Sequence, residues 1–448
     1  MHAASIAAEV SEHRSTLNLP HVWDAARQAG SAGRLEMFRE AYLDAVRQSE
    51  IIEAAPGTFA DHWHDLLDFK FDSGDISGGF RCLDIAARLG WVDLRALPLF
   101  DAVRDLSACF PRAFESARAL VLNAAEGRSS TVAFDHRIVG WMRLFNPGSR
   151  KPAYACSAWV TIAAEVLRAS ERTGRSCVFV PEYLATLVAF SGSRTLSWHT
   201  TGRAGGLMHF KPADLPPYVV FDPAGYSGWS SLSGCGLASL DLASEEVAHD
   251  FWVRHRREVL KGNVSKYSQK SLVALPELPA DYVFVAMQVA DDRTQELADV
   301  PMLEMLDIVV RRFLGSTTRV VVKRHPLCRS EAVGARLTQL AAGGAIVLSD
   351  ASIHPLIEGS RAVIAVNSGV GSEAIAHLKP IYLFGAADYD CLAHRVRCEE
   401  DFARLTTPIR AAVSLAEYKR FLHYYRTRYQ LDLREPVRIT EAISSFLG

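Results

Sequence analysis

The chain has 448 residues, of which 49% are hydrophobic and 22% charged, enough material for two or three domains with full cores. Its 49 Lys and Arg stand against 51 Asp and Glu, so the formal net charge is −2, whereas a general nucleic-acid binder carries a basic excess. The eight cysteines have no C-x-x-C spacing, which argues against a zinc ribbon and against a disulfide framework. These numbers indicate a globular, reduced protein without a nucleic-acid partner.

The sequence shows no feature of export or of membrane insertion. Its first twenty residues lack the basic segment and long apolar core of a signal peptide. No run reaches the roughly 20 apolar residues that span a bilayer. We therefore expect a cytoplasmic protein. The basic stretch 419–428 leaves open a peripheral association with the inner face of the cytoplasmic membrane, although a solvated helix face is the simpler interpretation.

Three regions with different patterns follow one another along the chain. Residues 1–112 place Ala, Leu and other apolar residues three and four positions apart, which predicts a helical N-terminal region. In residues 113–275, and again in 276–448, short apolar runs of strand length alternate with helical patterns. Such alternation predicts an α/β fold with two Rossmann-like domains, each binding ligands beyond the carboxyl ends of its parallel strands.

Two strand ends in the last region are suited to binding an anion. The strand over 320–322 runs into three side chains that can be cationic and a proline, namely Lys323, Arg324, His325 and Pro326. A later strand meets a turn of small and polar residues that opens a helix: Asn367, Ser368, Gly369, Gly371, Ser372 and Glu373. A helix N-terminus offers backbone N–H groups to a phosphate. As alternatives, the histidine could cap a neighbouring carbonyl, and the glutamate could cap its helix or hold a ribose hydroxyl.

These residues resemble the capsule polysaccharide biosynthesis family, which includes bacterial Kdo transferases. The shared pattern is the His-Pro pair followed by N-S-x-V-G-x-E-A, a Lys-Pro pair and G-x-x-x-Y, matched here by Asn367, Ser368, Val370, Gly371, Glu373, Ala374, Lys379, Pro380, Gly385 and Tyr389. Gly369 stands where the family often has Thr, which removes one hydroxyl. The resemblance implies a GT-B-like pair of Rossmann-type domains, with the acceptor side in 113–275 and a CMP-activated sugar held by 276–448. It also places His325 at the phosphate of the donor.

A carboxylate at the end of another strand is the candidate nucleophile. The apolar run over 282–287 ends at Gln288, Asp291 and Asp292, which resembles the Q-V-x-x-D element of the Kdo transferases. The resemblance implies that Asp292 attacks the anomeric carbon, with Gln288 and Asp291 close to the donor. Arg293 stands where the family commonly has Ser. The alternative for Asp292 is a strand-end residue that caps the next helix.

A second carboxylate, Asp222, enters a turn rich in hydroxyl and aromatic groups, which suit sugar recognition: Tyr226, Ser227, Trp229, Ser230 and Ser231. We place Asp222 in the catalytic or acceptor-binding set, with an Asx turn before Pro223 as the alternative. Further candidates for sugar binding lie in two other places. Glu182 and His199 follow strands of the first α/β region, and Ser265, Lys266 and Tyr267 could bind a sugar carboxylate or belong to a solvated loop.

The sequence thus predicts a glycosyltransferase, specifically a retaining β-Kdo transferase that uses CMP-Kdo to build capsule or lipopolysaccharide glycan. The expected partners are the CMP-activated sugar, an oligosaccharide or glycolipid acceptor and a membrane glycan-assembly complex. No metal or other cofactor is expected. Two alternatives stay open, an inverting CMP-sialic-acid-type transferase and a non-catalytic glycan-binding assembly protein. The helical region 1–112 is not explained by a two-domain transferase alone.

Overall fold

A computed structural model of the chain describes residues 17–31, 35–55, 60–73, 76–91, 132–135, 153–175, 177–180, 194–203, 205–267, 269 and 278–448. The chain divides into two compact units. The first comprises residues up to 211 together with 435–448, and the second comprises 212–434. The division predicted between 275 and 276 therefore falls inside the second unit.

The N-terminal part of the first unit is helical, with α1 Leu19–Ser31, α2 Leu35–Ala54, α3 Trp63–Asp72 and α4 Ile76–Arg88. Trp23 of α1 anchors the core between these helices, with its ring 5.0 Å from Phe69 in an edge-to-face arrangement and 6.4 Å from Tyr42. Lys70 pairs with Glu53 across 2.9 Å. The helical prediction for 1–112 is confirmed over the part that the structure describes.

A parallel sheet completes the first unit. Its strands are β1 Val132–Asp135, β2 Cys177–Val180, β3 Arg194–Trp198 and β4 Leu207–Pro212, in the order β2-β1-β3-β4, and helix α5 Ala153–Arg172 connects β1 to β2. All but the first residue of β3 is buried, as expected for a strand covered on both faces.

The second unit contains a six-stranded parallel sheet in the order β11-β10-β9-β6-β7-β8. Its strands are β6 Tyr282–Ala286, β7 Arg319–Lys323, β8 Val347–Leu348, β9 Val363–Ala365, β10 Ile381–Leu383 and β11 His394–Arg395. The connecting helices are α7 Met302–Phe313, α8 Glu331–Ala342, α9 Ile353–Gly359, α10 Gly369–Ala376 and α11 Glu399–Leu405. After β6 the chain adds β7 and β8 on one side of that strand. It then crosses to the other side of β6, where it adds β9, β10 and β11. The boundary between β6 and β9 is therefore a topological switch point, where doubly wound sheets bind their ligands.

Flanking elements complete the second unit. They are β5 Tyr218–Asp222, α6 Glu245–Lys261, α12 Leu415–Tyr424, a π-helical turn Tyr425–Tyr429 and β12 Gln430–Asp432, which pairs with β5 antiparallel. The last helix, α13 Pro436–Leu447, belongs to the first unit. The predicted α/β fold class is confirmed, with a helical N-terminal region followed by two Rossmann-type parallel sheets.

The basic stretch 419–428 makes contacts inside the second unit. Lys419 lies 4.8 Å from the centre of the Trp252 ring, Arg420 donates to the Ala243 carbonyl across 2.8 Å, and Arg426 is buried. Among the described helices, none combines the length and the apolar character needed to cross a membrane.

Candidate functional site

The ends of β6 and β9 are joined side by side at the switch point. The backbone N–H of Asn367 donates to Oε1 of Gln288 across 2.9 Å, and Nε2 of Gln288 donates to Oδ1 of Asn367 across 2.7 Å. The side-chain Nδ2 group of Asn367 donates to the Thr294 carbonyl across 2.8 Å. Two predicted donor-binding residues are thus brought together, and together they hold the turn that begins at Asp292.

Asp292 caps the 3-10 turn Arg293–Leu297 with one of its two carboxylate oxygens. Its Oδ1 accepts hydrogen bonds from the backbone N–H and the hydroxyl of Thr294, both across 2.8 Å. None of the described residues donates to Oδ2. The capping alternative is therefore correct for one oxygen. The residue is exposed, and its second oxygen is not used by the cap. Asp291 next to it is also exposed.

His325 follows β7 and is held in one tautomer by its own turn. The backbone N–H of Leu327 donates to Nδ1 across 3.1 Å, so in the neutral ring the proton lies on Nε2. The ring meets Tyr267 edge-on, with the ring centres 5.0 Å apart. Burial lowers the pKa of His325 to about 4, and the positive charges of Lys266 and Lys323 act in the same direction. The ring is therefore neutral at pH 7, and its Nε2–H donates to none of the described residues.

The two other cations of the predicted cluster are bound to the protein itself. Lys323 donates to Oε1 of Gln269 across 3.2 Å and to the Ala351 carbonyl across 2.5 Å. Arg324 donates to the Ser330 carbonyl across 2.8 Å, at the start of α8. Pro326 is exposed. Lys323 thus joins the end of β7 to residues 269 and 351, and Arg324 joins it to the start of α8. Their binding of the donor stays a prediction.

The segment 265–267 supplies a different cation beside His325. Lys266 is partly buried, and none of the described residues accepts a hydrogen bond from its ammonium group. Burial lowers the pKa of Lys266, and four acidic groups act in the opposite direction when they are ionised: Asp214, Asp292, Glu373 and Asp388. Burial and the charge of Asp292 also raise the pKa of Tyr267. The predicted segment 265–267 therefore lies in the electrostatic field of Asp292 and His325.

Glu373 lies one turn into α10 and is only 6% exposed. Its Oε1 accepts a hydrogen bond from the Ser265 hydroxyl across 3.0 Å, whereas Oε2 has no partner among the described residues. Burial, together with the negative charge of Asp214, raises the pKa of Glu373 to about 8. At pH 7 this group is a neutral carboxylic acid that can donate a hydrogen bond.

Helix α10 begins at the turn that the sequence predicted as a phosphate site. Ser368 caps it by accepting from the backbone N–H of Val370 across 3.3 Å. At Gly371, a Cβ atom would lie 2.7 Å from two carbons of the Tyr389 ring, so only glycine permits this approach. The Tyr389 hydroxyl donates to the Ser368 carbonyl. The Tyr389 side chain is therefore packed directly against the first turn of α10.

Two residues of this turn contact Asp214, which the sequence did not suggest as a functional residue. The Ser372 hydroxyl donates to Asp214, and a Cβ atom on Gly369 would lie 3.3 Å from Cβ of Asp214. Asp214 in turn pairs with Arg426, 212 residues further along the chain. No motif marks either residue, because a buried ion pair between distant segments leaves no local pattern.

Asp222 is buried and its carboxylate organises its own loop. It accepts hydrogen bonds from the backbone N–H groups of Ala224, Gly225 and Ser231, from the Ser231 hydroxyl across 2.6 Å and from the Tyr429 hydroxyl across 3.2 Å. These contacts are those of the Asx-turn alternative. None of these hydrogen bonds supports a catalytic role for Asp222, which stays a prediction.

The aromatic part of that loop reaches the Asp292 turn. The Trp229 ring meets Tyr226 edge-on at 5.4 Å, and the Arg293 guanidinium lies 5.1 Å from the centre of the Trp229 ring. Ser227 has a positive φ of 53° in the same turn. The loop thus brings Tyr226, Ser227 and Trp229 to the neighbourhood of Asp292 within the second unit.

Two predicted candidates remain. His199 belongs to the first unit, where its backbone N–H donates to the Phe210 carbonyl across 2.9 Å. Glu182 lies outside the described residues. Within the described ranges, no group of three or more His, Cys, Asp or Glu side chains is arranged to hold a metal ion.

Comparison with known proteins supports the family resemblance. Residues 252–394 match the family model described as capsule polysaccharide biosynthesis protein. This match confirms the resemblance for the segment that holds Lys266, Asp292, His325 and the α10 turn. No curated protein matches the chain.

Among solved structures, the chain is similar to two from Thermosulfurimonas dismutans. One is KpsC, beta Kdo 2,4 transferase, at 16% identity and a TM-score of 0.43, over 72% of this chain and 99% of that one. The other is KpsC, beta Kdo 2,7 transferase, at 15% identity and a TM-score of 0.42, over 69% of this chain and 97% of that one.

Proposed function

We propose that the chain is a retaining glycosyltransferase that moves an ulosonic acid of the Kdo type from a CMP-activated donor to a hydroxyl of a glycan acceptor. One observation carries the proposal. At the switch point, the oxygen of Asp292 and the ammonium of Lys266 that no described residue binds interact electrostatically with the neutral Nε2–H donor His325, and Tyr267, next to Lys266, meets the His325 ring edge-on at 5.0 Å. That group lies within residues 252–394, which match the capsule family model.

The donor brings two anionic groups to such a site, a phosphate and the carboxylate of the sugar. We assign the phosphate to the Nε2–H of His325 and to the positive end of the α10 dipole. We assign the sugar carboxylate to Lys266. The charge that develops on departing CMP is then met by donors that are already in position, which is the usual source of rate enhancement in such reactions.

Asp292 is the nucleophile of the proposed reaction. Its free carboxylate oxygen forms a bond to the anomeric carbon while the bond from that carbon to the phosphate oxygen breaks, and the electron pair leaves with CMP. In the second step the acceptor hydroxyl oxygen attacks the same carbon, its proton passes to water, and the carboxylate of Asp292 is released. Two displacements leave the anomeric configuration of the sugar unchanged.

The proposal is tested by incubating the full chain with CMP-Kdo and with CMP-sialic acid, each against a set of acceptor oligosaccharides. We expect transfer from CMP-Kdo, seen by mass spectrometry, and retention of configuration by NMR. Glu296→Gln serves as the matched control for Asp292→Asn, because Glu296 is an exposed carboxylate of the same turn with only a 3.7 Å pair to Arg293. A product of inverted configuration would support the sialyltransferase-type alternative, and absence of both transfer and CMP binding would support the non-catalytic one.

A further inference from the structure

A buried ion pair contacts the α10 turn. Arg426 donates through both terminal nitrogens to the two oxygens of Asp214, across 2.8 and 2.7 Å, and the two side chains are 1% and 6% exposed. The guanidinium lies over the rings of Tyr218 and Tyr425, 5.0 and 5.1 Å from their centres. Arg426 belongs to the π-helical turn, a conformation that is uncommon and often found at functional sites.

Asp214 connects this pair to the first turn of α10. One of its oxygens accepts from the Ser372 hydroxyl and the other accepts from Nε2 of Gln430 across 3.0 Å. Its Cβ also faces Gly369, where a side chain would come within 3.3 Å. Both Gly369 and Ser372 belong to the turn that we assign to the donor phosphate. The ion pair therefore touches that turn at its beginning and its end.

Stability alone does not account for a charged pair at this place. Although burial opposes ionisation, the charge and hydrogen bonds of Arg426 hold the pKa of Asp214 well below its usual range, so the carboxylate is always charged. A buried ion pair is often replaceable by packed apolar residues without loss of stability, because desolvation offsets the attraction. What apolar residues cannot replace is the hydrogen bond that ties Ser372 to another segment, since without Asp214 the hydroxyl keeps only the Gly369 carbonyl of its own turn, across 2.7 Å.

The charge of Asp214 also requires compensation for an electrostatic reason. An unneutralised carboxylate against the first turn of α10 would repel an anion bound at the same turn and would oppose the positive end of the helix dipole. Arg426 removes this repulsion while leaving the carboxylate free to accept from Ser372.

We propose that Asp214 and Arg426 are positioning residues, which fix the first turn of α10 through Ser372 so that it receives the phosphate of the donor. This inference rests on the proposed function, since it assumes that a CMP phosphate binds there. It predicts an order of effects. Loss of Arg426 leaves a bare negative charge at the turn, so it should weaken phosphate binding more than loss of the Ser372 hydroxyl does.

The test measures binding of CMP to the full chain by calorimetry and binding of cytidine by ligand-observed NMR. We expect Ser372→Ala to weaken CMP binding a few-fold at a nearly unchanged melting temperature, and Arg426→Met to weaken it at least tenfold. Cytidine binding should change little in both variants, because cytidine has no phosphate. The double variant Asp214→Leu with Arg426→Met should regain thermal stability relative to Arg426→Met. Its CMP affinity should rise only to about that of Ser372→Ala, because the bare charge is gone but Ser372 lacks its acceptor on Asp214.

Different outcomes overturn different statements. If the double variant recovers both stability and the full CMP affinity of the unchanged chain, or if Ser372→Ala binds CMP as the unchanged chain does, the positioning role is wrong while the proposed function stands. Equal losses for CMP and cytidine would also contradict it, since they indicate general damage to the fold. If the unchanged chain binds neither CMP nor CMP-Kdo, the proposed function fails, and the positioning role with it.

Discussion

The backbone N–H of Leu327 donates to Nδ1 of His325 across 3.1 Å, and this one bond determines what the histidine can do. Because Nδ1 is an acceptor, the neutral ring carries its proton on Nε2. With a pKa lowered to about 4 by burial, the ring stays neutral near pH 7 and serves as a hydrogen-bond donor rather than as a cation.

His325→Ala should therefore remove a hydrogen bond from a neutral donor to the phosphate, and not an ion pair. Such a bond is worth about 1.5–3 kcal/mol, or roughly 10- to 100-fold in affinity for CMP. His325→Gln, which keeps an N–H donor, should retain part of that affinity. Calorimetry with CMP-Kdo between pH 6 and pH 8 should give a constant contribution of His325, and a contribution that collapses over this range would contradict the neutral-donor role.

Glu373 should make stability depend on pH. Its pKa of about 8 in the folded chain exceeds the ordinary value of 4.5, so the folded state holds a proton that the unfolded state has lost. Its contribution is therefore fully present below about pH 4.5 and is lost as the pH rises through 8. The melting temperature of the unchanged chain minus that of Glu373→Gln should therefore be larger at pH 6 than at pH 8.5.

The comparison with Glu373→Gln isolates this carboxyl from the charges around it, because Asp214, Lys266, Lys323 and Arg426 are present in both proteins. The glutamine also keeps an acceptor for the Ser265 hydroxyl. A difference in melting temperature that is the same at both pH values would show that Glu373 titrates normally.

Gly371→Ala should disturb the α10 turn through a steric clash with the Tyr389 ring. Overpacking of this kind costs about 1–3 kcal/mol of stability. Gly343→Ala is the matched control, because its nearest atom is a carbonyl oxygen at 3.5 Å, an ordinary contact. Urea unfolding of the two variants tests this, and equal stabilities would contradict the close packing of Tyr389 on the turn.

Asn367→Ala should separate the Asp292 turn from the end of β9. The alanine removes the bond to Thr294 and the acceptor of the buried Nε2 group of Gln288, at a cost of about 1–3 kcal/mol of stability, whereas the backbone N–H of residue 367 still donates to Oε1 of Gln288. Transferase activity should fall further than CMP affinity does, because the misplaced group is the nucleophile rather than the phosphate site. Parallel loss of the two quantities would contradict this positioning of Asp292.

The sequence predicts the second sheet well because most of its strands are short runs of apolar residues bounded by helical periods, which are local signals. It also predicts which strand ends carry Gln288, Asp292, His325 and Asn367, since parallel strands bring their carboxyl ends to one edge. It does not predict that Lys323 and Arg324 are engaged by carbonyl groups, nor that Asp222 is surrounded by donors of its own loop. These contacts depend on the direction in which each side chain points after its strand, and the sequence does not show that direction.

Contacts between distant segments are the other part that local patterns miss. Ser372 looks like a free hydroxyl at a helix start, yet it donates to Asp214, 158 residues earlier. Lys266 is one lysine in a polar stretch, and only the packing of that stretch against α10 and His325 makes it the unpartnered cation of the site.

The most direct test of the account is the search for a sugar covalently bound to Asp292. The full chain is mixed with CMP-Kdo without acceptor, quenched rapidly and digested for mass spectrometry. The account predicts CMP release and one added sugar residue on the peptide that contains Asp292, absent in Asp292→Asn and present in Glu296→Gln. Full transferase activity in Asp292→Ala, with no adduct in the unchanged chain, would contradict it.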